Sequence, residues 1–300
     1  MLHGIGDDCA VLRLPAGPHD LLITTDLSIE DVHFRRPWHP PQSAGHRCLA
    51  RGLSDIAAMG GQPLACFLSL GLPFQLPQRW VDNFLQGLEQ LAQRFKAPLA
   101  GGDISSAPKI IADIVVAGQA QRGKAILRSG TRPGDRIYVT GELGASAAVL
   151  KRLYAGGHIR ASRSSRHFYP EPRVEVGEQL LREGLATAMI DISDGLSVDL
   201  GHICRESGVS ARILASALPV AKAAGLELAL HGGEDYELLF TAPAKARIPN
   251  RVAGVNITGI GVIEPSKNYR SAIQIIDDNG RTRSLAARGW QHFTRQFRER

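Results

Sequence analysis

Five short stretches of this chain place carboxylates where carboxylates make poor scaffolding. Gly4-Ile5-Gly6-Asp7-Asp8-Cys9-Ala10 sets two adjacent acids on a glycine-flanked turn. Downstream come Thr24-Thr25-Asp26, Ser54-Asp55, Gly101-Gly102-Asp103 and Asp191-Ile192-Ser193-Asp194-Gly195. Two unit charges about 4 Å apart, at an effective dielectric near 20, repel by about 4 kcal/mol. A divalent cation relieves that repulsion, and Mg²⁺ in particular takes hard oxygen ligands and keeps sites for water or phosphate oxygens. Asp8, Asp26, Asp55, Asp103, Asp191 and Asp194 carry more charge than one ion needs, which suggests several ions bridged by a polyphosphate. Any one of these aspartates, taken singly, is also a reasonable helix cap or turn residue, Asp103 after its two glycines above all.

Other residues suit an anionic ligand. Arg128 opens an Arg-Ser-Gly loop and is either a phosphate clamp or a surface arginine. His33, seven residues past Asp26, is either a substrate contact or a structural histidine. Gly232-Gly233-Glu234-Asp235-Tyr236-Glu237 puts three acids in four residues, apparently at the opening of a strand, or else in a solvated turn. Gly118 to Ala125 nearly spells a phosphate-binding loop, but Ala125 stands where that loop needs a hydroxyl and no helix follows, so a strand end with a basic turn is expected. No nucleophile is paired in sequence with a base for covalent catalysis.

Elements to position these groups follow from hydrophobic periodicity. Strands are expected at 21–25 ending on Asp26, 64–72, 110–121, 136–140, 188–190, 211–214, 236–241, 255–262 and 272–276. Helices are expected at 43–59, 78–95, 145–154, 173–183 and 196–206, the first carrying Leu49, Leu53, Ile56 and Ala57 at helical spacing and ending at Gly60-Gly61. Strands and helices mix without strict alternation, so the class is α+β, with a boundary near residue 125 dividing 1–125 from 126–300.

The 300 residues are 44% hydrophobic and 21% charged, ample for a core, and no run reaches the length of a membrane span. Met1 to Gly4 has neither the basic region nor the apolar stretch of a signal peptide, so a cytoplasmic protein is expected. Cys9, Cys48, Cys66 and Cys204 are too scattered for a zinc site or a disulfide framework. A net charge of +6 suits an anionic ligand. The basic tail from Arg295 to Arg300 reads as solvated, and no nucleic-acid-binding module is present.

Gly-Ile-Gly-Asp-Asp-Cys-Ala, Thr-Thr-Asp-Leu with Val-His-Phe, Leu-Ser-Asp-Ile-Ala-Ala-Met-Gly, Gly-Gly-Asp, Arg-Ser-Gly-Thr-Arg-Pro-Gly-Asp, Asp-Ile-Ser-Asp-Gly-Leu and Gly-Gly-Glu-Asp-Tyr-Glu-Leu occur in this order from residue 4 to about 293. In that order and form they resemble the thiamine-monophosphate kinases. The aspartate turns are shared with the wider group that includes aminoimidazole ribonucleotide synthetase, selenophosphate synthetase and a hydrogenase maturation factor. The resemblance implies a two-domain synthetase-like fold: an N-terminal α/β domain (1–125) that binds metal and ATP and dimerises through its sheet, and a C-terminal α+β domain (126–300). It implies Mg²⁺ ions held by Asp8, Thr24, Thr25, Asp26, Asp55, Asp103, Asp191 and Asp194, and ATP touched by Gly102, Asp103, Arg128 and Ser193. His33, Glu234 and Trp290 would line the thiamine phosphate site, Trp290 as a platform for the cationic ring. The implied reaction moves the γ-phosphate of ATP to thiamine monophosphate, giving thiamine diphosphate and ADP in a homodimer that binds neither nucleic acid nor membrane. A phosphomonoester, with a second pKa near about 6, is already anionic at neutral pH, so direct in-line transfer without a phosphoenzyme is expected.

The chain departs from the pattern in two places. The lead before Gly4 is shorter than in the relatives, and Ser28 and Asp31 stand near His33 where other residues are usual. The rival readings are therefore a non-catalytic nucleotide- or thiamine-phosphate-binding protein with a truncated N-terminus, and another ATP-dependent synthetase. The second lacks support, because no reactive cysteine precedes the Gly-Asp-Asp turn and the chain does not end in cysteine.

Overall fold

The computed structural model describes residues 1–266 and 272–290. The first half contains β1 (Ala10–Arg13), β2 (His19–Ile29), α1 (Pro41–Ala58), β3 (Gln62–Leu72), α2 (Gln78–Arg94), β4 (Leu99–Ser106) and β5 (Ile111–Gln121). The second contains β6 (Arg136–Thr140), α3 (Ala145–Tyr154), α4 (Val174–Arg182), β7 (Ala188–Asp191), α5 (Leu196–Ser207), β8 (Val209–Leu214), α6 (Leu226–His231), β9 (Leu238–Ala242), β10 (Arg251–Val252), β11 (Val255–Pro265), β12 (Ile273–Ile276) and β13 (Thr282–Ser284).

The first five strands form one sheet in the order β1-β2-β5-β3-β4, antiparallel except for the β3–β4 pair. Along β2 the pleat turns Asp20, Leu22, Thr24 and Ser28 inward, with Asp26 on the same face, and leaves Thr25 and Leu27 on the other. The inner face is covered by α1, which is buried along most of its length. Helix α1 begins with Pro41, whose missing N–H costs nothing at a first turn. It ends in a Schellman motif, Gly60 N donating to Ala57 O and Gly61 N to Ile56 O. A Cβ on Gly45 would lie 1.9 Å from Phe84 O, and one on Gly87 2.0 Å from Gln42 O, so glycine is what lets α1 and α2 cross in contact.

The second sheet runs β13-β12-β8-β11-β6-β9-β7, with β10 paired to β11. Its strands alternate strictly: Ile190 and Leu239 pack with Leu196, Leu200 and Ile203 of α5, whereas Met189, Leu238 and Phe240 join the core around α1. Helix α4 also lies on α1, and a Cβ at Gly177 would meet Ala57 O at 2.1 Å. One core therefore crosses residue 125, and α1 is wedged between the two sheets.

The mixed α/β class expected from the sequence is the one found. Three local expectations need correction. Gly101-Gly102-Asp103 is neither turn nor cap but lies inside β4. Asp26 lies within β2 rather than at its end. The strand expected from Tyr236 begins at Leu238, because Glu234 and Tyr236 adopt left-handed backbone angles (φ 64° and 51°) that a ladder does not accept. Gly118 to Ala125 is the end of β5 and a turn, as expected, with Gly123 N donating to Asp20 Oδ2 at 2.7 Å. The tail from Arg295 to Arg300 lies outside the described residues. Among the described residues, no helix is long and apolar enough to cross a membrane. All four cysteines are buried thiols.

Candidate active site

Three carboxylates from three elements meet beside α1. Asp8 comes from the N-terminal turn, Asp55 from the last turn of α1 and Asp191 from the end of β7. A carboxylate oxygen of each lies within 4.8 Å of the others. Ser54 Oγ donates to Asp191 Oδ2 at 2.6 Å, and the Thr24 hydroxyl donates to Asp55, so their neighbours orient two of the three. Burial, and then the mutual repulsion of Asp26, Asp191 and Asp8, pushes the Asp55 carboxyl well above its ordinary range. Burial and Asp8 lift Asp191 to about 7. Burial also raises Asp8 and Asp26, against the pull of Arg128 and Arg51 respectively. Buried carboxylates that resist ionisation together are stabilised when a cation joins them, and an all-oxygen donor set of this kind fits Mg²⁺.

Arginines stand against two of these acids. Arg128 Nη2 donates to Asp8 Oδ1 at 2.7 Å, while its backbone N donates to Asp7. Arg51, one helical turn before Asp55, donates to Asp26 Oδ1 at 3.2 Å.

The acidic cluster opens into a cavity of about 340 Å³ between the two halves, whose lining includes Asp26, Asp55, Asp191, Ser193 and Asp194. The same lining includes His33, Trp38, Tyr154, Glu234 and Trp290. Trp38 and Tyr154 meet edge to face at 5.0 Å, and the Arg35 guanidinium lies 4.6 Å over Trp38. Glu234 Oε1 accepts from Arg47 Nη2 at 2.7 Å. Burial works against that carboxylate, but Arg47, His167 and Arg51 outweigh it and hold the group down at about 2. Trp290 is placed by its backbone N, which donates to Asp194 O at 3.0 Å. His33 Nδ1 accepts from Ile29 N at 3.0 Å.

The expected residues are thus sorted by the fold. Asp8, Thr24, Asp26, Asp55, Asp191 and Asp194 gather at or beside the cluster, and His33, Glu234, Trp290 and Ser193 line the same cavity. Three of them do not join it. Thr25 Oγ1 donates to Asp113 Oδ1 at 2.8 Å on the opposite, exposed face of the sheet. Gly102 and Asp103 lie exposed on the edge strand β4, three strand spacings, or about 14 Å, from β2. Sequence reasoning missed Arg47 and Arg51, though their four-residue spacing with Asp55 was a readable signal for one helix face. It also missed Asp199, which accepts from Asp194 N and Gly195 N at 3.2 and 2.9 Å and holds that turn. His39, Trp38, Tyr154 and His167 left no such signal.

Two sheets joined through α1 over an acidic cleft define the class. Residues 6–120 match the family model of the AIR synthase related protein N-terminal domain, and residues 132–274 that of its C-terminal domain. Within that class the relatives are specific. The thiamine-monophosphate kinase of Escherichia coli K12 is 38% identical, with 97% of this chain and 91% of that protein covered. That of Haemophilus influenzae is 38% identical over 86% of this chain and 82% of that protein. A solved structure described as AaThiL complexed with AMPPCP and TMP superposes with a TM-score of 0.84 at 32% identity, covering 96% of this chain and 92% of that one. The hydrogenase maturation protein HypE in complex with ATP, at 19% identity and a TM-score of 0.76, shares the fold. The chain belongs to the thiamine-monophosphate kinase family.

Proposed function

We propose that this protein transfers the γ-phosphate of ATP to thiamine monophosphate, yielding thiamine diphosphate and ADP. The observation that carries the reading is one cavity lined both by Asp55 and Asp191 of the three converging carboxylates and by Trp38, Tyr154 and Trp290, in a chain of this family. Trp38, Tyr154 and Trp290 offer π faces to a flat cationic ring system. Ser193 and Arg128 stand on the acidic side, where a nucleotide triphosphate would lie.

Asp8, Asp26, Asp55, Asp191 and Asp194 would hold Mg²⁺, with the Thr24 hydroxyl keeping Asp55 in register. Bound there, Mg²⁺ neutralises and aligns the phosphate oxygens of two polyanions. The protein's own part is positioning. Asp8 holds the Arg128 guanidinium beside the acidic cluster, where it would face the phosphates of a bound nucleotide. No nucleophilic side chain is required, so transfer is direct and in line.

We further propose a homodimer formed through the outer face of the first sheet, where Leu27, Leu64 and Phe67 are 49%, 40% and 42% exposed. Gly102 and Asp103 border that face, and their distance from Asp55 suits a role in the nucleotide site of the partner subunit. The division into residues 1–125 and 126–300, and residence in the cytoplasm, complete the proposal; the four buried thiols fit a reducing compartment. The test is ADP release with ATP and Mg²⁺, comparing thiamine monophosphate with unphosphorylated thiamine. Turnover with the first and not the second is expected. Retained ATP binding without turnover on either would favour the non-catalytic reading.

A further inference from the structure

Helix α1 carries Arg47, Arg51 and Asp55 on successive turns of one face, and the last two line the cavity. The first makes three hydrogen bonds. Arg47 donates to the His167 and His33 carbonyls and to Glu234. Arg51 is differently placed: it lines the cavity on the turn between Arg47, which holds Glu234, and Asp55, and gives one donor to Asp26 at 3.2 Å. A guanidinium has five N–H donors in a planar fork that matches a phosphate. The pair also repeats the arrangement of Arg128 against Asp8, an arginine held by an acid of the proposed metal site.

Resting on the kinase reading, we infer that Arg51 receives the phosphate of the phosphomonoester acceptor. Two features of the site support this. Arg51 sits one helical turn from Asp55 and one from Arg47, the partner of Glu234, so a ligand that spans Glu234 and Asp55 along this wall of the cavity lies against Arg51. Without a cation at that point, the phosphate would face Asp26 and Asp55 unscreened. Asp26 holds Arg51 through a single donor, and a cation on that carboxylate would leave the guanidinium fork to the phosphate. Arg51 is thereby the residue that separates a phosphorylated acceptor from the bare alcohol.

The experiment is calorimetric binding of thiamine monophosphate and of thiamine to the full chain, with Mg²⁺ and a non-hydrolysable ATP analogue present. Wild type, Arg51→Gln and Arg51→Lys are compared, and thermal unfolding checks that each is folded. In Arg51→Gln, affinity for thiamine monophosphate should fall about tenfold to a hundredfold, the loss expected for a charge-assisted hydrogen bond. Affinity for thiamine should stay unchanged, and Arg51→Lys should recover part of the loss. An equal loss for thiamine and its phosphate, or no loss for either, would overturn the assignment and leave Arg51 a structural partner of Asp26. If Arg51→Gln does not fold, the same comparison in Arg51→Lys decides, since a lysine cannot reproduce the fork. Failure of the wild type to bind or phosphorylate thiamine monophosphate would remove the kinase reading and this inference together, whereas a working wild type with an indifferent Arg51→Gln removes the inference alone.

Discussion

Asp55 is held among Asp8, Asp26 and Asp191, and its charge is opposed by all three. Changing it to asparagine keeps its shape and removes one charge from the crowd. Without metal, Asp55→Asn should be at least as stable as the wild type. Its turnover should fall at least about a hundredfold, and Mg²⁺ should no longer raise its unfolding temperature as it does that of the wild type. Near-normal turnover with an intact Mg²⁺ shift would contradict the metal role. At this scale the acids themselves were legible, since adjacent or glycine-flanked aspartates have few scaffold uses. Their arginine partners were not, because Arg128 and Asp8 lie 120 residues apart and meet through the fold.

Helix α1 carries Arg47, Arg51, Ser54 and Asp55, so its seating is the seating of the site. Gly87→Ala would press a methyl onto the Gln42 carbonyl, which cannot retreat like a side chain. Destabilisation of about 1–3 kcal/mol in urea unfolding is expected, and an unchanged midpoint would show that the helix crossing is looser than described. The buried histidines give a pH signature. His39 Nε2 and His167 Nε2 lie 3.2 Å apart, with Arg47 and Glu234 beside them and Ser146 Oγ on His167 Nδ1. Burial, followed by Arg47, lowers His39 to about 4 and His167 to about 3. Both are therefore neutral when folded, while the unfolded chain takes up protons below about 6.5. The unfolded state then binds more protons, so stability is full above that value and is lost as pH falls toward 4. His39→Gln should flatten the decline in urea midpoint between about pH 7.5 and about pH 5; a decline as steep as in the wild type would assign it to other groups. Helices with clear periodicity were legible from sequence, α3 to the residue at Ala145–Tyr154. β1, α6 and β13 were not, since so few residues show no period.

At the scale of the molecule, the covered and exposed faces of the first sheet differ in what they lack. The inner face has α1 against it, and the outer face leaves Leu27 and Phe67 open to solvent. Strand order decides where Asp103 goes, and strand order has no signature in the local pattern that placed it after Leu99-Ala100. If Asp103 serves the site of the partner subunit, Asp55→Asn and Asp103→Asn chains should each be impaired alone. Co-expressed, they should regain roughly a quarter of wild-type turnover, through the one intact site of each mixed dimer. No regain in a dimer shown to be mixed would place Asp103 elsewhere.

A phosphate that moves from ATP to a second phosphate can be followed by its label. With γ-labelled ATP, Mg²⁺ and thiamine monophosphate, the label should appear chromatographically in thiamine diphosphate, in step with ADP, with none retained on the protein. ADP formed without labelled thiamine diphosphate, or label passing through the protein on its way there, would contradict direct transfer.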